Sequence, residues 1–410
     1  MVPLRRNRDF VVLQLGQFLS AAGTQSTTIA YPLLVLAQSH SPAQAGLVTF
    51  ARLTPFALFG LLAGVAADRW NRMRLMIAAD VLRALALGSL AAIVGFGHPA
   101  VWQILVVAFV EGTGSSFFGP AATGALRAVV PRRQLPAAVG AQEARSATVR
   151  LAGPPVGGAL FGLGRWVPFL ADAVSYVCST VALLAMRTPF QETREADRSP
   201  LRAQIAEGAR FLWGQPFLRT CAFLYGLGNF LVPGMLLILI VVGRRQGLSG
   251  GEIGALIAVF GAGTLVGSLA SPFFRRVLSI RAILLMELWT WVGSWLFLIW
   301  PNAYVLVAAL VPFGIAAPVT DSVVVGYRVA LTPDRLLGRV ESVRSNISLL
   351  IAPLGPLAAG LLLGSVSPRT TVGVFAAFGL ILALWGTLSP AIRKAPSLGE
   401  LPTASPAGAS

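Results

Sequence analysis

The chain has 410 residues, 55 % of them hydrophobic and 12 % charged, with a formal net charge of +16. Its mean hydropathy of +0.74 lies far from ordinary soluble usage. A basic chain usually suggests nucleic acid, but here the cations punctuate long uncharged runs instead of gathering in one patch. That excludes a nucleic-acid-binding role.

The first run, Phe10 to Ala51, contains no Asp, Glu, Lys or Arg. A bilayer core is about 30 Å thick and a helix rises about 1.5 Å per residue, so roughly 20 apolar residues cross it once. The run therefore holds two crossings, and the polar residues Ser39, His40 and Ser41 before Pro42 mark the turn. The same reading predicts twelve spans, near 10–37, 44–67, 75–96, 101–123, 140–163, 166–186, 216–243, 252–273, 281–300, 303–326, 340–364 and 370–390. The fold class is an all-α polytopic membrane protein of twelve transmembrane helices.

Charge sets the orientation. Arg5, Arg6, Arg8, Arg69, Arg72, Arg74, Arg127, Arg132 and Arg133 lie in the N-terminal tail and alternate loops. The same side continues with Arg187, Arg194, Arg198, Arg202, Arg210, Arg275, Arg276, Arg281, Arg328, Arg335, Arg339, Arg393 and Lys394. The opposite loops hold Arg165, Arg244, Arg245 and Arg369. Positive loops stay in the cytoplasm, so both termini are expected inside, with some attraction to lipid headgroups. The segment after Arg8 is too long for a cleaved signal peptide and leads directly into another span. Cys178 and Cys221 are too few for a disulfide scaffold.

The charged stretch from Arg187 to Arg210 divides the chain. The expected organisation is a six-helix half over 1–187 and a cytoplasmic central loop over 188–215. A second six-helix half covers 216–392, and a disordered tail covers 393–410. Within the loop, Leu201, Ile205 and Leu212 face one way and Arg202 and Arg210 flank them, predicting an amphipathic helix on the membrane surface. The halves repeat. PRRQL followed by GPPVGGALFG in 131–162 returns as PDRLL followed by GPLAAGLLLG in 333–364, and Gly60, Ala63, Arg74 and Asp80 align with Gly267, Ala270, Arg281 and Glu287. Repeated halves that rock about a site between them are a transporter architecture.

Between spans 2 and 3 stands GxxADRxxR: Gly64, Asp68, Arg69 and Arg72, followed by Arg74. Glycine permits a tight helix exit, Asp68 suits capping or pairing with an arginine, and the arginines hold the loop at the headgroups. Asp80 and Arg83 are spaced to pair on one helix face. Span 5 carries Gly153, Pro154, Gly157 and Gly158, where proline removes a helix hydrogen bond and glycine lets backbones approach.

The loop resembles motif A of the major facilitator superfamily, and the span 5 run looks like its motif C, which is associated with antiporters. RNRDFVVLQLGQFLSAAGTQSTTIAYPLLVL and AGVAADRWNRMRLMIAADVLRALAL resemble the branch that contains macrolide-efflux proteins and the enterobactin exporter. The resemblance covers all twelve spans. It implies two pseudo-symmetric six-helix halves and a monomer in the bacterial cytoplasmic membrane. It also implies proton-driven export of an amphipathic small molecule, with no enzymatic activity, cofactor or metal. The motif A residues, Asp80 and Arg83 would form a cytoplasmic gate latch. Two departures stand out. Ala108 occupies the position where motif B has an arginine, four residues before Gly112, and the second motif A, near Phe273–Arg281, lacks its aspartate.

A proton carrier should be an acid at membrane depth. Glu111, near the middle of span 4 and followed by Gly112-Thr113-Gly114-Ser115-Ser116, is the leading candidate, and Asp321 in span 10 the second. Asp172 and Glu287 lie in spans 6 and 9, which are peripheral in that superfamily, and are expected to make structural pairs. Arg52 would attract an anionic substrate, counter Glu111 or snorkel to the headgroups. Span 1 bears a polar stripe of Gln14, Gln17, Thr24, Gln25, Thr28 and Tyr31. Its outer half, with Tyr225, Asn229 and Asn346, would line the substrate cavity or bond other helices. Uptake of a small solute, or a non-transporting receptor with the same fold, are the alternative functions.

Overall fold

In the computed structural model, residues 4–186, 188, 190 and 201–395 are described. Of the tail expected over 393–410, residues 396–410 lie outside them, as do 187, 189 and the central-loop residues 191–200. Every regular element among the described residues is helical. The chain opens with α1 (Arg8–Ser39), α2 (Pro42–Arg69), α3 (Arg72–Phe96), α4 (Val101–Val129), α5 (Leu135–Leu163) and α6 (Val167–Leu184). Then come α7 (Leu201–Gly214), α8 (Pro216–Gly228), α9 (Leu231–Arg245), α10 (Gly250–Val277), α11 (Ile280–Trp289) and α12 (Leu296–Ile299). The chain continues with α13 (Ala303–Leu331), α14 (Asp334–Ile351), α15 (Leu354–Ser365), α16 (Pro368–Leu388) and α17 (Pro390–Arg393). Among the described residues ten segments are long and apolar enough to cross a membrane, counting α8–α9, α11–α12 and α14–α15 as single crossings. With α1 and α5, which are long enough but more polar, they make a twelve-helix membrane fold.

Local chemistry sets the helix ends. Asn7, Ser41, Asn71, Ser279 and Ser367 each cap a helix through a side-chain oxygen that accepts an amide of the first turn. Ser249 and Glu252 form a reciprocal capping box at α10. His40 adopts left-handed backbone, φ 52°, closing α1 before Pro42 opens α2. Three crossings are interrupted: at Asn229–Phe230, by a 3₁₀ stretch at Thr290–Trp295, and around Pro353. The helix α5, in contrast, runs unbroken through Pro154 and Pro155.

Contacts divide the chain into two compact units. One comprises Met1–Asp197, Leu236–Ala258 and Pro356–Ser365; the other comprises Arg198–Met235, Val259–Gly355 and Val366–Ser410. In the first, α2 packs on α4, and α6 lies against both α1 and α3. Glycines permit the closest approaches there. A Cβ at Gly158 would stand 1.9 Å from the Gly250 carbonyl oxygen, and one at Gly46 would stand 2.5 Å from that of Pro356.

The helix α6 shows how lipid inverts the usual pattern. Asp172, Ser175, Tyr176 and Ser179 are buried, while Val174, Val177 and Val181 are exposed. Backbone and side-chain polar groups find partners inside the protein, and aliphatic side chains meet the acyl chains.

In the second unit α7 packs on α14. Leu212 joins Leu218, Ala222, Leu336 and Val340 in one apolar cluster, and Glu207 pairs with Arg339 and, at 3.7 Å, with Arg335. Leu212, on the face expected to lie against the membrane, is thus covered by protein.

Candidate functional site

The first unit encloses a charged network contributed by α1, α2, α3, α4 and α6. Arg52 of α2 is its entry point. Its Nε donates to Glu111 Oε2 at 2.5 Å and its Nη2 to Oε1 at 3.4 Å. Nη1 donates to Thr28 Oγ1 at 2.7 Å and Nη2 to the Thr24 carbonyl at 3.2 Å. The guanidinium lies 5.7 Å from the centre of the Tyr31 ring. The Arg52 side chain is 11 % exposed and that of Glu111 only 1 %. Of the three expectations for Arg52, pairing with Glu111 is the one its geometry matches.

Glu111 also accepts from Ser115 Oγ at 3.2 Å and from the Tyr176 hydroxyl at 3.4 Å. That hydroxyl stands 2.8 Å from Thr24 Oγ1. Gly112 explains how α2 and α4 come close enough, since a Cβ there would lie 2.1 Å from the Arg52 carbonyl oxygen. Gly114 does the same for α3, because its Cβ would strike the Arg83 side chain.

Arg83 is the second cation. It pairs with Asp80, donates to Ser115 Oγ at 3.3 Å and stacks 4.1 Å over the Tyr176 ring and 4.6 Å from that of Phe118. Both partners are buried. The pair therefore belongs with the Glu111 network and stands apart from the arginines of the loop.

Asp172 of α6 completes the cluster. It is fully buried, with Thr27 Oγ1 donating to its Oδ2 at 2.8 Å and Ser175 Oγ 3.2 Å from its Oδ1. Gly23 leaves room for it, as a Cβ there would sit 2.3 Å from Oδ1. Among the described residues it makes no ion pair, so the structural pair expected for Asp172 is absent and hydroxyls stand in its place.

The remaining motif A residues lie at the other end of these helices. Asp68 is largely exposed and 3.8 Å from Arg72. Arg72 Nε donates to the Ala67 carbonyl at 3.0 Å, and its guanidinium covers Gly124. Arg69 and Arg74 are exposed, and nothing lies within 4 Å of a Cβ built at Gly64. In motif C, Gly153 meets the Gln25 side chain, Gly157 the Ser26 backbone and Gly158 the Gly250 backbone, while a Cβ at Gly254 would stand 2.2 Å from the Pro154 carbonyl oxygen.

The expected cavity residues fall into two sets. Thr28, exposed and bonded to Arg52, and half-buried Gln25 belong to the first unit. In the second unit, the Tyr225 hydroxyl donates to the Leu284 carbonyl at 2.7 Å. Asn229, exposed at the α8–α9 break, donates to the Tyr225 carbonyl, and Asn346 donates to that of Ser342. Asp321 is exposed on α13 within electrostatic reach of Arg344 and Arg328. Sequence reasoning missed Ser115, Tyr176 and Thr27. The available signal was the i, i+4 spacing of Asp172 and Tyr176 in a span otherwise rich in valine and leucine. Among the described residues no three His, Cys, Asp or Glu side chains cluster as metal ligands would.

Residues 13–288 match the Major Facilitator Superfamily, and the chain belongs to it. It is a multi-pass membrane transporter, not an enzyme. The chain is 29 % identical over 401 residues to the multidrug efflux pump Tap of Mycolicibacterium fortuitum, covering 94 % of this chain and 95 % of that one. It is 25 % identical over 377 residues to macrolide efflux protein A of Streptococcus pyogenes, covering 86 % and 88 %. Among solved structures, the nucleoside transporter NupG superposes with a TM-score of 0.73 at 14 % identity, over 95 % of this chain and all of that one, a likeness of fold.

Proposed function

We propose that this protein exports amphipathic small molecules across the bacterial cytoplasmic membrane in exchange for protons, as a monomer with both termini in the cytoplasm. The observation that carries the reading is the enclosed cluster of Asp80, Glu111 and Asp172 with Arg52 and Arg83. Ionisable groups at membrane depth are costly and mark proton and substrate pathways. The outward direction draws on the likeness to Tap and macrolide efflux protein A, which extends over most of each chain.

Arg52 and Thr28 form the polar edge that an incoming solute meets. Gln25 adds to that wall, and Tyr225, Asn229 and Asn346 serve the second half. The loop arginines and Asp68 act as the cytoplasmic latch. One proton crossing about 100 mV releases about 2.3 kcal/mol, which sustains a solute gradient of roughly fifty-fold. That suffices for detoxification.

The test uses everted membrane vesicles loaded with the protein, energised by respiration and offered ethidium or labelled erythromycin. Concentrative uptake that collapses on addition of a protonophore is the expected result. Accumulation indifferent to the protonophore, or none with either probe, overturns the reading.

A further inference from the structure

We propose that Asp172 is the group that binds and releases the coupling proton, while Glu111 stays ionised as the partner of Arg52. The assignment rests on the proton-coupled reading above.

Charge counting is the first argument. The cluster contains three carboxylates, Asp80, Glu111 and Asp172, and two guanidiniums, Arg52 and Arg83, which do not lose their protons in proteins. Two of the acids are matched, Glu111 by Arg52 and Asp80 by Arg83. Asp172 is the one left over. With every acid ionised the cluster carries one uncompensated negative charge away from water, and the penalty for such a buried ion is several kcal/mol. One bound proton removes that charge. The groups facing Asp172 from its surroundings are Tyr31 of α1, Arg52 of α2, Arg83 of α3, Glu111 of α4 and Tyr176 of α6. On α5, Arg145 is engaged elsewhere, by Gln14 and Gln17.

The second argument is the kind of hydrogen bond each acid receives. Glu111 accepts from two guanidinium nitrogens, which can only donate, as well as from Ser115 and Tyr176. Donors of that kind hold a carboxylate in its charged form. Asp172 meets only hydroxyls, Thr27 at 2.8 Å and Ser175 at 3.2 Å. A hydroxyl donates to a carboxylate and, rotated, accepts from a carboxylic acid. Its neighbours therefore serve both protonation states without a rearrangement of helices.

The third argument is connection to the exposed edge. The Thr24 carbonyl accepts from Thr28 Oγ1 at 2.9 Å and from Arg52 Nη2 at 3.2 Å, and it lies 3.0 Å from Thr27 Oγ1, whose single hydrogen goes either to it or to Asp172. A solute that draws Arg52 or Thr28 away frees that carbonyl to compete with Asp172 for the Thr27 hydrogen. The chemistry is a proton transfer alone: an O–H bond forms on the Asp172 carboxylate with a proton from water on one side and breaks to water on the other.

Two measurements test this on the purified protein in liposomes. The first is the infrared carbonyl stretch of protonated carboxylic acids near neutral pH, compared between wild type and Asp172→Asn. Loss of one acid band in the variant supports the assignment; identical spectra in that region overturn it. This arm needs no solute, so it stands whether or not ethidium moves. The second compares proton-driven ethidium accumulation with ethidium exchange in the absence of a gradient. Asp172→Asn is expected to lose the first and keep the second, and loss of both equally marks a structural residue and overturns the proposal. Where Asp172→Asn does not fold, Asp172→Glu decides: the pH at which the acid band disappears shifts with the new acid, and an unshifted band refutes the assignment. Failure of the wild type to move either probe removes the efflux reading, while the infrared comparison still decides the protonation of Asp172.

Discussion

Glu111→Gln removes the carboxylate from a guanidinium that is 89 % buried, since the Arg52 side chain keeps only 11 % of its exposure. Breaking a buried ion pair by deleting one partner costs about 3–5 kcal/mol, most of it the penalty of the charge left behind. Unfolding entropy of roughly 2.1 cal/mol/K per residue, taken over 410 residues, converts that loss into a fall in midpoint of about 4–6 °C. Arg52→Met leaves Glu111 unmatched and is expected to cost a similar amount. The double variant removes both charges, and replacing a whole buried pair by neutral groups is often close to neutral. Thermal unfolding of the detergent-purified protein, followed by near-ultraviolet circular dichroism, reads all four corners of the cycle. The double variant should fall no further than the worse single variant. A shift in the double equal to the sum of the singles, or a Glu111→Gln midpoint within about 1 °C of wild type, refutes the pairing.

Gly158→Val places a branched side chain where a single Cβ would already lie 1.9 Å from the Gly250 carbonyl oxygen, forcing α5 and α10 apart. A cysteine at Ser249, in a background lacking Cys178 and Cys221, should then react faster with an impermeant maleimide; an unchanged rate counts against the contact. Sidedness is checked by a cysteine at Asn71, which should resist that reagent in intact cells and react after permeabilisation, whereas one at Gly247 reacts from outside. Gly208→Val, whose Cβ would stand 2.6 Å from the Arg339 carbonyl oxygen, should free α7 and let trypsin cut the helical backbone at the exposed Arg202 and Arg210. Undiminished protection of that segment would show that Glu207 and Leu212 hold the helix unaided.

The architecture was largely legible because a bilayer turns length and hydropathy into counts of crossings. The turn at Ser39–Pro42 was readable for the same reason, and His40 supplies its left-handed residue. Helix starts were harder. The fifth span reads from 140 on hydropathy, yet α5 begins at Leu135, because residues beyond the acyl chains need not be apolar. The breaks at Asn229, Thr290 and Pro353 also escaped. Gly228-Asn229 and Pro353 carry a local signal, but Pro154–Pro155 shows that such residues alone do not end a helix. The site was half legible. Glu111 stood out as an acid in an apolar span, but which cation it meets depends on which helix faces α4. Period along one helix does not contain that information, so Asp172 read as a structural acid when its partners turned out to be hydroxyls.

The internal repeat shows how differently the two halves use the same positions. Asp80 of α3 aligns with Glu287 of α11, and the same offset carries Arg83 onto Thr290. In the first half the acid pairs with its arginine, and that arginine reaches Ser115 and the Tyr176 ring. In the second half Glu287 has no ion pair among the described residues, and Thr290 spends its hydroxyl on the Glu287 carbonyl. Arg52 aligns by that offset with Val259, so the second guanidinium is missing too. The second half instead gathers its charge on α13 and α14, where Arg328 pairs with Glu341 at 2.8 Å and Arg344 with the same carboxylate at 2.6 Å. Aligned helices of the two halves therefore carry different polar chemistry on one backbone plan.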